Sequence, residues 1–167
     1  LLRLYRDGTL IRVGRGLYAL PGAQTSEFLT LAEVSKRIPD AVICLISALE
    51  FHQLTTQIAH RVWIAIENKK WGPTFDYPPL EIIRLSASAF SFGTEVHEVD
   101  CTKIRIYNPA KTVADCFKFR NRIGLDVAIE ALREAWRSRK ITMDELWEAA
   151  KVCRMTNVMR PYLSGSI

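Results

Sequence analysis

The sequence predicts an α+β fold: a helix end and a β-hairpin, followed by a mixed α/β domain with a small sheet and a helical C-terminal part. Three observations predict it. Short runs rich in Val and Ile cluster between Arg61 and Tyr107, apolar residues recur at helical spacing before and after that stretch, and glycine-marked turn chemistry fills the first segment. With 49% hydrophobic and 25% charged residues over 167 positions, the chain is built like a folded, water-soluble protein. That composition excludes disordered, collagen-like and disulfide-stapled classes.

Leu1 to Arg6 reads as the end of a helix, stopped by Asp7-Gly8. Thr9 to Val13 and Leu17 to Leu20 read as two strands joined by Gly14-Arg15-Gly16, and Pro21-Gly22 closes the unit. Helix, turn and two-stranded ribbon together make the back half of a winged helix-turn-helix. In such a module the helix faces a groove of DNA and the ribbon lies along the backbone, so arginines are wanted in both places. Arg3, Arg6, Arg12 and Arg15 are therefore the candidate DNA-binding residues. The other reading is a solvated hairpin with ordinary surface arginines. The domain boundary falls at Pro21-Gly22-Ala23, which separates a stub, 1–22, from a body, 23–167.

In the body, Ser26 is placed to cap a helix that carries Phe28, Leu31, Ala32 and Val34 and breaks at Pro39. Ala41 to Leu54 follows as a second predicted helix, although its start, Ala-Val-Ile-Cys-Leu, also suits a buried strand. Val62 to Ile66, Leu80 to Leu85, Glu95 to Val99 and Lys103 to Tyr107 predict a sheet of three to five strands, with a proline-rich loop from Asn68 to Pro79. Asn108-Pro109 starts a helix running toward Asn121 with Val113, Cys116 and Phe117 on its apolar face. Leu125, Ile129, Leu132 and Trp136 repeat at helical spacing. Thr142 and Glu145 then have capping-box spacing, with Ile141 and Leu146 placed as a hydrophobic staple.

No apolar run is long enough to span a bilayer, since the longest, Ala41 to Leu49, is short and interrupted by Ser47. The opening Leu-Leu-Arg reads as a truncation or processing point, without the order of segments that marks a signal peptide. Cys44, Cys101, Cys116 and Cys153 form no Cys-x-x-Cys pair and are expected to be reduced core thiols in a cytoplasmic protein.

Charge is uneven along the chain. Residues 1–22 carry four Arg against one Asp, and residues 101–122 carry six basic residues against one acid, within an overall formal charge of +5. Lys111, Lys118 and Arg122 are spaced by seven and four, one helical face, with Asp115 between them and Arg120 and Lys103 nearby. These five basic residues are the candidate partner-binding patch, suited to an acidic protein, tRNA or DNA phosphates; the alternative is a solvated face with internal ion pairs.

Enzyme chemistry finds weaker footing. Pro39-Asp40 and Glu67-Asn68-Lys69 spell the parts of a PD-(D/E)xK nuclease, in which two carboxylates hold Mg²⁺ and a lysine flanks the attacking water. Asp40 precedes a stretch expected to be helical, however, and short motifs recur by chance. There is no Gly-x-Ser-x-Gly elbow and no phosphate loop, and His52, His60 and His97 are scattered. No catalytic residue, metal or cofactor is expected.

Gly8-Thr-Leu-Ile-Arg-Val-Gly-Arg-Gly-Leu-Tyr18 resembles the wing of the AbiEi-type antitoxins of type IV toxin-antitoxin systems. Val42-Ile-Cys-Leu-Ile-Ser-Ala-Leu49 with His52, Val62-Trp-Ile-Ala-Ile66, Arg105-Ile-Tyr107, Lys111-Thr-Val-Ala-Asp-Cys-Phe-Lys118 and Gly124-Leu-Asp-Val-Ala-Ile-Glu-Ala-Leu132 resemble that family in the same order. The resemblance implies a bacterial regulator of abortive infection, not an enzyme. Its winged helix-turn-helix binds inverted repeats of operator DNA at its own promoter, and its C-terminal domain neutralises a toxin, typically a nucleotidyltransferase. It also implies that the chain starts inside the winged module, after the first helices. The alternatives are the nuclease and a plain winged-helix transcriptional regulator without a toxin partner.

Overall fold

The computed structural model describes residues 11–14, 17–19, 28–74 and 76–165, the first two segments by their backbone. Strands β1 (Ile11–Gly14) and β2 (Leu17–Ala19) form an antiparallel ribbon with Ile11 opposite Ala19 and Arg12 opposite Tyr18. The register shifts between Arg12 and Gly14. The helix end expected over Leu1 to Arg6 and the cap expected at Ser26 lie outside the described residues.

The body is mixed α and β. Its sheet is formed by β3 (Val42–Ile43), β4 (Val62–Glu67), β5 (Leu80–Leu85), β6 (Thr94–Val99) and β7 (Thr102–Tyr107) in the order β5-β4-β3-β7-β6. β3 is the central strand, antiparallel to β4 and parallel to β7, while β5 runs parallel to β4 and β6 antiparallel to β7. The helix expected from Ala41 is corrected at its start. Val42 and Ile43 form β3, and helix α2 (Leu45–Phe51) begins only afterwards. A central strand is covered on both sides, so it lacks the alternation that would have told it from a buried helix.

Alternation governs the longer strands and divides the core in two. Val62, Ile64, Ile66, Ile104 and Ile106 point to one face and pack under helix α1 (Leu29–Arg37), which contributes Leu31, Ala32 and Val34. Ala65, Ile83, Leu85 and Tyr107 point to the other face, against the C-terminal helices. Those helices are α4 (Pro109–Lys118), α5 (Arg120–Ile123), α6 (Leu125–Arg137), α7 (Met143–Cys153) and α8 (Thr156–Gly165), and the short α3 (Ala87–Ser91) links β5 to β6. Fully burying one isoleucine such as Ile64 contributes about 1.5–3 kcal/mol, so both layers hold the sheet by ordinary apolar burial.

Local start signals set the helix boundaries on the larger face. Asn108 Oδ1 accepts from the Lys111 amide at 2.8 Å, with Pro109 at the first helical position. Thr142 and Glu145 form the reciprocal capping box: the Thr142 hydroxyl accepts from the Glu145 amide at 3.2 Å and the Glu145 carboxylate accepts from the Thr142 amide at 2.8 Å. Ile141 and Leu146, the staple positions, are both buried. The helix expected to run to Asn121 instead ends at Lys118, and Phe119 turns the chain into α5.

Candidate functional site

Of the four candidate DNA-contacting arginines, Arg12 sits in β1 opposite Tyr18, while Arg3, Arg6 and Arg15 lie outside the described residues. The ribbon precedes the body directly in sequence. Two strands of three and four residues cannot bury a core of their own.

The basic segment does not form the patch that its spacing suggests. Lys111 is the clearest correction: it is fully buried, because its stretch of helix is enclosed by the sheet and by α7. Its ammonium donates to Asp115 Oδ2 at 2.6 Å and lies 4.0 Å from the centre of the Tyr107 ring. Arg122 is carried away from the α4 face by the turn at Phe119. Its guanidinium pairs with Glu81 on β5 and sits over Trp63 at 5.7 Å. Arg120 turns inward to the Phe117 carbonyl at 2.8 Å and also reaches the Met155 sulfur. Lys118 stays half-buried beside the Phe119 ring, and exposed Lys103 lies on β7 opposite Glu98.

Sequence reasoning missed what Lys111 builds. Asp115 accepts from Lys111 on one oxygen and from the Cys153 thiol on the other, at 3.3 Å, so one carboxylate ties α4 to the end of α7. Burial raises the Asp115 carboxyl above the usual carboxylate range, and the Lys111 charge opposes that rise. Burial and the Asp115 charge push the Cys153 thiol up to about 12, which keeps it protonated and able to donate. Tyr107, under the ammonium, donates its hydroxyl to the Phe90 carbonyl at 2.6 Å, and its own carbonyl receives Thr112 at 3.2 Å and the His52 ring at 2.7 Å. Gly93 is fitted to the same spot. It has a φ of +74°, and a Cβ there would stand 2.7 Å from Lys111 Cβ. The cluster is a satisfied polar clasp inside the core. Its signal in the sequence was the apolar run Val113-Ala114, Cys116-Phe117 that surrounds Asp115.

Cys44, Cys116 and Cys153 are buried as expected, but Cys101 is exposed. It occupies the second position of the two-residue turn between β6 and β7, where both Asp100 and Cys101 have positive φ.

The nuclease residues come closer together than the sequence suggested. Asp40 leads into β3 and Glu67 ends β4, and the antiparallel register of Val42 opposite Ala65 brings both to one end of the sheet. There they line a cavity of about 260 Å³ with Lys70, Trp71 and Pro73. Lys70, rather than Lys69, approaches Asp40, at 3.5 Å. Trp71 is 97% exposed at the rim. Among the described residues no group of three or more acidic, His or Cys side chains is arranged to hold a metal ion, and no helix is long and apolar enough to cross a membrane. No family model matches the chain, and no curated protein matches it.

Proposed function

We infer that this chain is a regulator of the AbiEi antitoxin type, not an enzyme. Its ribbon belongs to a winged helix-turn-helix that grips operator DNA, and its α+β body counters a nucleotidyltransferase toxin in the bacterial cytoplasm. One observation carries the reading: an arginine-bearing β1–β2 ribbon stands directly ahead of an α+β body whose segments follow the order of that family. Phosphate neutralisation by Arg3, Arg6, Arg12 and Arg15 supplies the affinity, because each cation placed on a phosphate releases condensed counterions. Inverted repeats then recruit two copies. The body contributes a rigid support whose clasp fixes α4 and α7 against the sheet. Co-expression in cells with a nucleotidyltransferase toxin, under the promoter of this chain's own gene, tests the reading. Restored growth together with reduced activity of that promoter is the expected result; persistent arrest with an unrepressed promoter contradicts it.

A second reading keeps its own observation, the meeting of Asp40, Glu67 and Lys70 at one cavity. A metal-dependent nuclease would cleave plasmid DNA or RNA in Mg²⁺, and Glu67→Gln would abolish the cleavage. The regulator reading predicts intact nucleic acid for both proteins.

A further inference from the structure

Strand β6 forms one edge of the five-stranded sheet, and among the described residues only β7 pairs with it. The turn at Asp100 and Cys101, with φ of 48° and 62°, makes Val99 and Thr102 the hydrogen-bonded pair that closes a two-residue hairpin. Hydrogen-bonded and non-bonded pairs alternate from there. Glu95, His97 and Val99 therefore direct their N–H and C=O groups at β7, while Thr94, Val96 and Glu98 direct theirs outward. This edge carries two carboxylates, Glu95 and Glu98, but none of the other usual protection. It is six regular residues long without proline, lysine or bulge, and Val96 at its centre is 63% exposed. At the other edge, the loop after β4 folds back toward β5, where Arg84 donates to the carbonyls of Asn68 and Lys70.

We propose that β6 is a dimerisation edge, which pairs antiparallel with β6 of a second copy about a twofold axis at Val96 and joins the two sheets. The sequence of the strand selects this occupant and this register. With Val96 opposite itself, Glu95 of each copy faces His97 of the other, and Thr94 faces Glu98. Moving the axis to Glu95 or to Glu98 opposes identical carboxylates, and moving it to His97 removes both Glu–His pairs. Within one copy His97 Nε2 already stands 2.9 Å from Glu95 Oε2 on the same face of the strand. Pairing therefore produces an alternating row of two carboxylates and two imidazoles, in which each imidazole lies between the Glu95 carboxylate of its own copy and that of the other. The outward groups of Val96 exchange both hydrogen bonds with their mates, as do those of Thr94 with Glu98. The contact is isologous and closed, so it ends at two copies. It stands apart from the regulator reading, although a twofold protein is what an inverted repeat calls for.

Sedimentation equilibrium of the chain from micromolar to millimolar concentration tests the proposal, with folding of each variant checked by circular dichroism. The wild type is expected at twice the chain mass. Val96→Pro removes an outward N–H and leaves the β7 ladder intact, a position where an edge strand tolerates proline. It is expected to weaken the dimer at least about tenfold, as is His97→Glu, which opposes two carboxylates. The double variant Glu95→Lys/His97→Glu restores opposite charges across the axis and is expected to recover the dimer to within about threefold of wild type. A chain that stays monomeric throughout overturns the proposal, including the case in which the Val96 amide is protected from exchange by another segment of the same chain. A dimer indifferent to both single variants also overturns it, because a different surface would then be in use. DNA binding by the intact protein is scored separately, so loss of the dimer and loss of operator recognition are distinguishable.

Discussion

Residues 1–22 and 101–122 are the two basic stretches of this chain, and the second, with six basic residues against one acid, carries more charge than the first, with four against one. The structure engages most of the second in contacts of its own, although only Lys111 is fully buried and the Arg122 side chain stays 44% exposed. Lys111 is enclosed with Asp115, Arg122 is held by Glu81, Arg120 is turned to a helix carbonyl, and Arg105 donates to the Asp40 carbonyl at 3.1 Å. Lys103 and Lys118 are what remains. In the first stretch a two-stranded ribbon carries Arg12, and Asp7 is the one acid among four arginines. Charge density along a sequence becomes a surface for a partner only where the surrounding fold does not consume it.

The sharpest way to break this contrast is at the clasp. Asp115→Ala leaves the Lys111 ammonium buried without a counter-charge and is expected to destabilise the protein by about 3–5 kcal/mol in urea denaturation. Lys111→Met with Asp115→Leu removes both charges and is expected to recover most of that loss, with DNA binding unchanged throughout. If Lys111→Met alone weakened binding and left stability untouched, Lys111 would belong to a partner surface after all.

A smaller effect tests how the second stretch is anchored through Tyr107. Burial holds the His52 ring below the ordinary imidazole value, against the opposing pull of its hydrogen bond to the Tyr107 carbonyl and of Glu95. The unfolded chain therefore binds the His52 proton more readily than the folded one. The resulting stability is present above the unfolded imidazole value and is lost as pH falls through the folded one. Urea midpoints are expected to drop between pH 7 and pH 5, on either side of the ordinary imidazole value of about 6.5. His52→Gln, whose amide also donates to the Tyr107 carbonyl, is expected to drop less. Equal pH slopes in the two proteins would remove His52 from the account.

Much of the body was legible from local chemistry. Val62–Glu67 and Leu80–Leu85 show as Val- and Ile-rich runs, and the start of α7 shows as a capping box with its staple. Two kinds of feature were not legible. Val42–Ile43 is a strand covered on both faces, so its apolar run carries no period to separate it from α2. Lys111 and Asp115 are four residues apart, a spacing that an exposed helical ion pair shares with a buried one. What decides between them is contributed from elsewhere: the ring of Tyr107, the thiol of Cys153 and the missing side chain of Gly93. Likewise the parts of the nuclease motif looked unrelated, because the register that brings Asp40 to Glu67 depends on that same unrecognised strand.

Binding of the intact protein to its own promoter duplex over a range of salt concentrations tests the central claim most directly, with Arg12→Ala/Arg15→Ala compared with Lys103→Ala/Lys118→Ala. The ribbon pair is expected to lower affinity about tenfold or more and to reduce the slope of log K against log salt by about two, one for each arginine removed from a phosphate. The second pair is expected to leave both quantities nearly unchanged. Unaltered affinity and slope in the ribbon variant, or a loss confined to Lys103 and Lys118, would contradict the account.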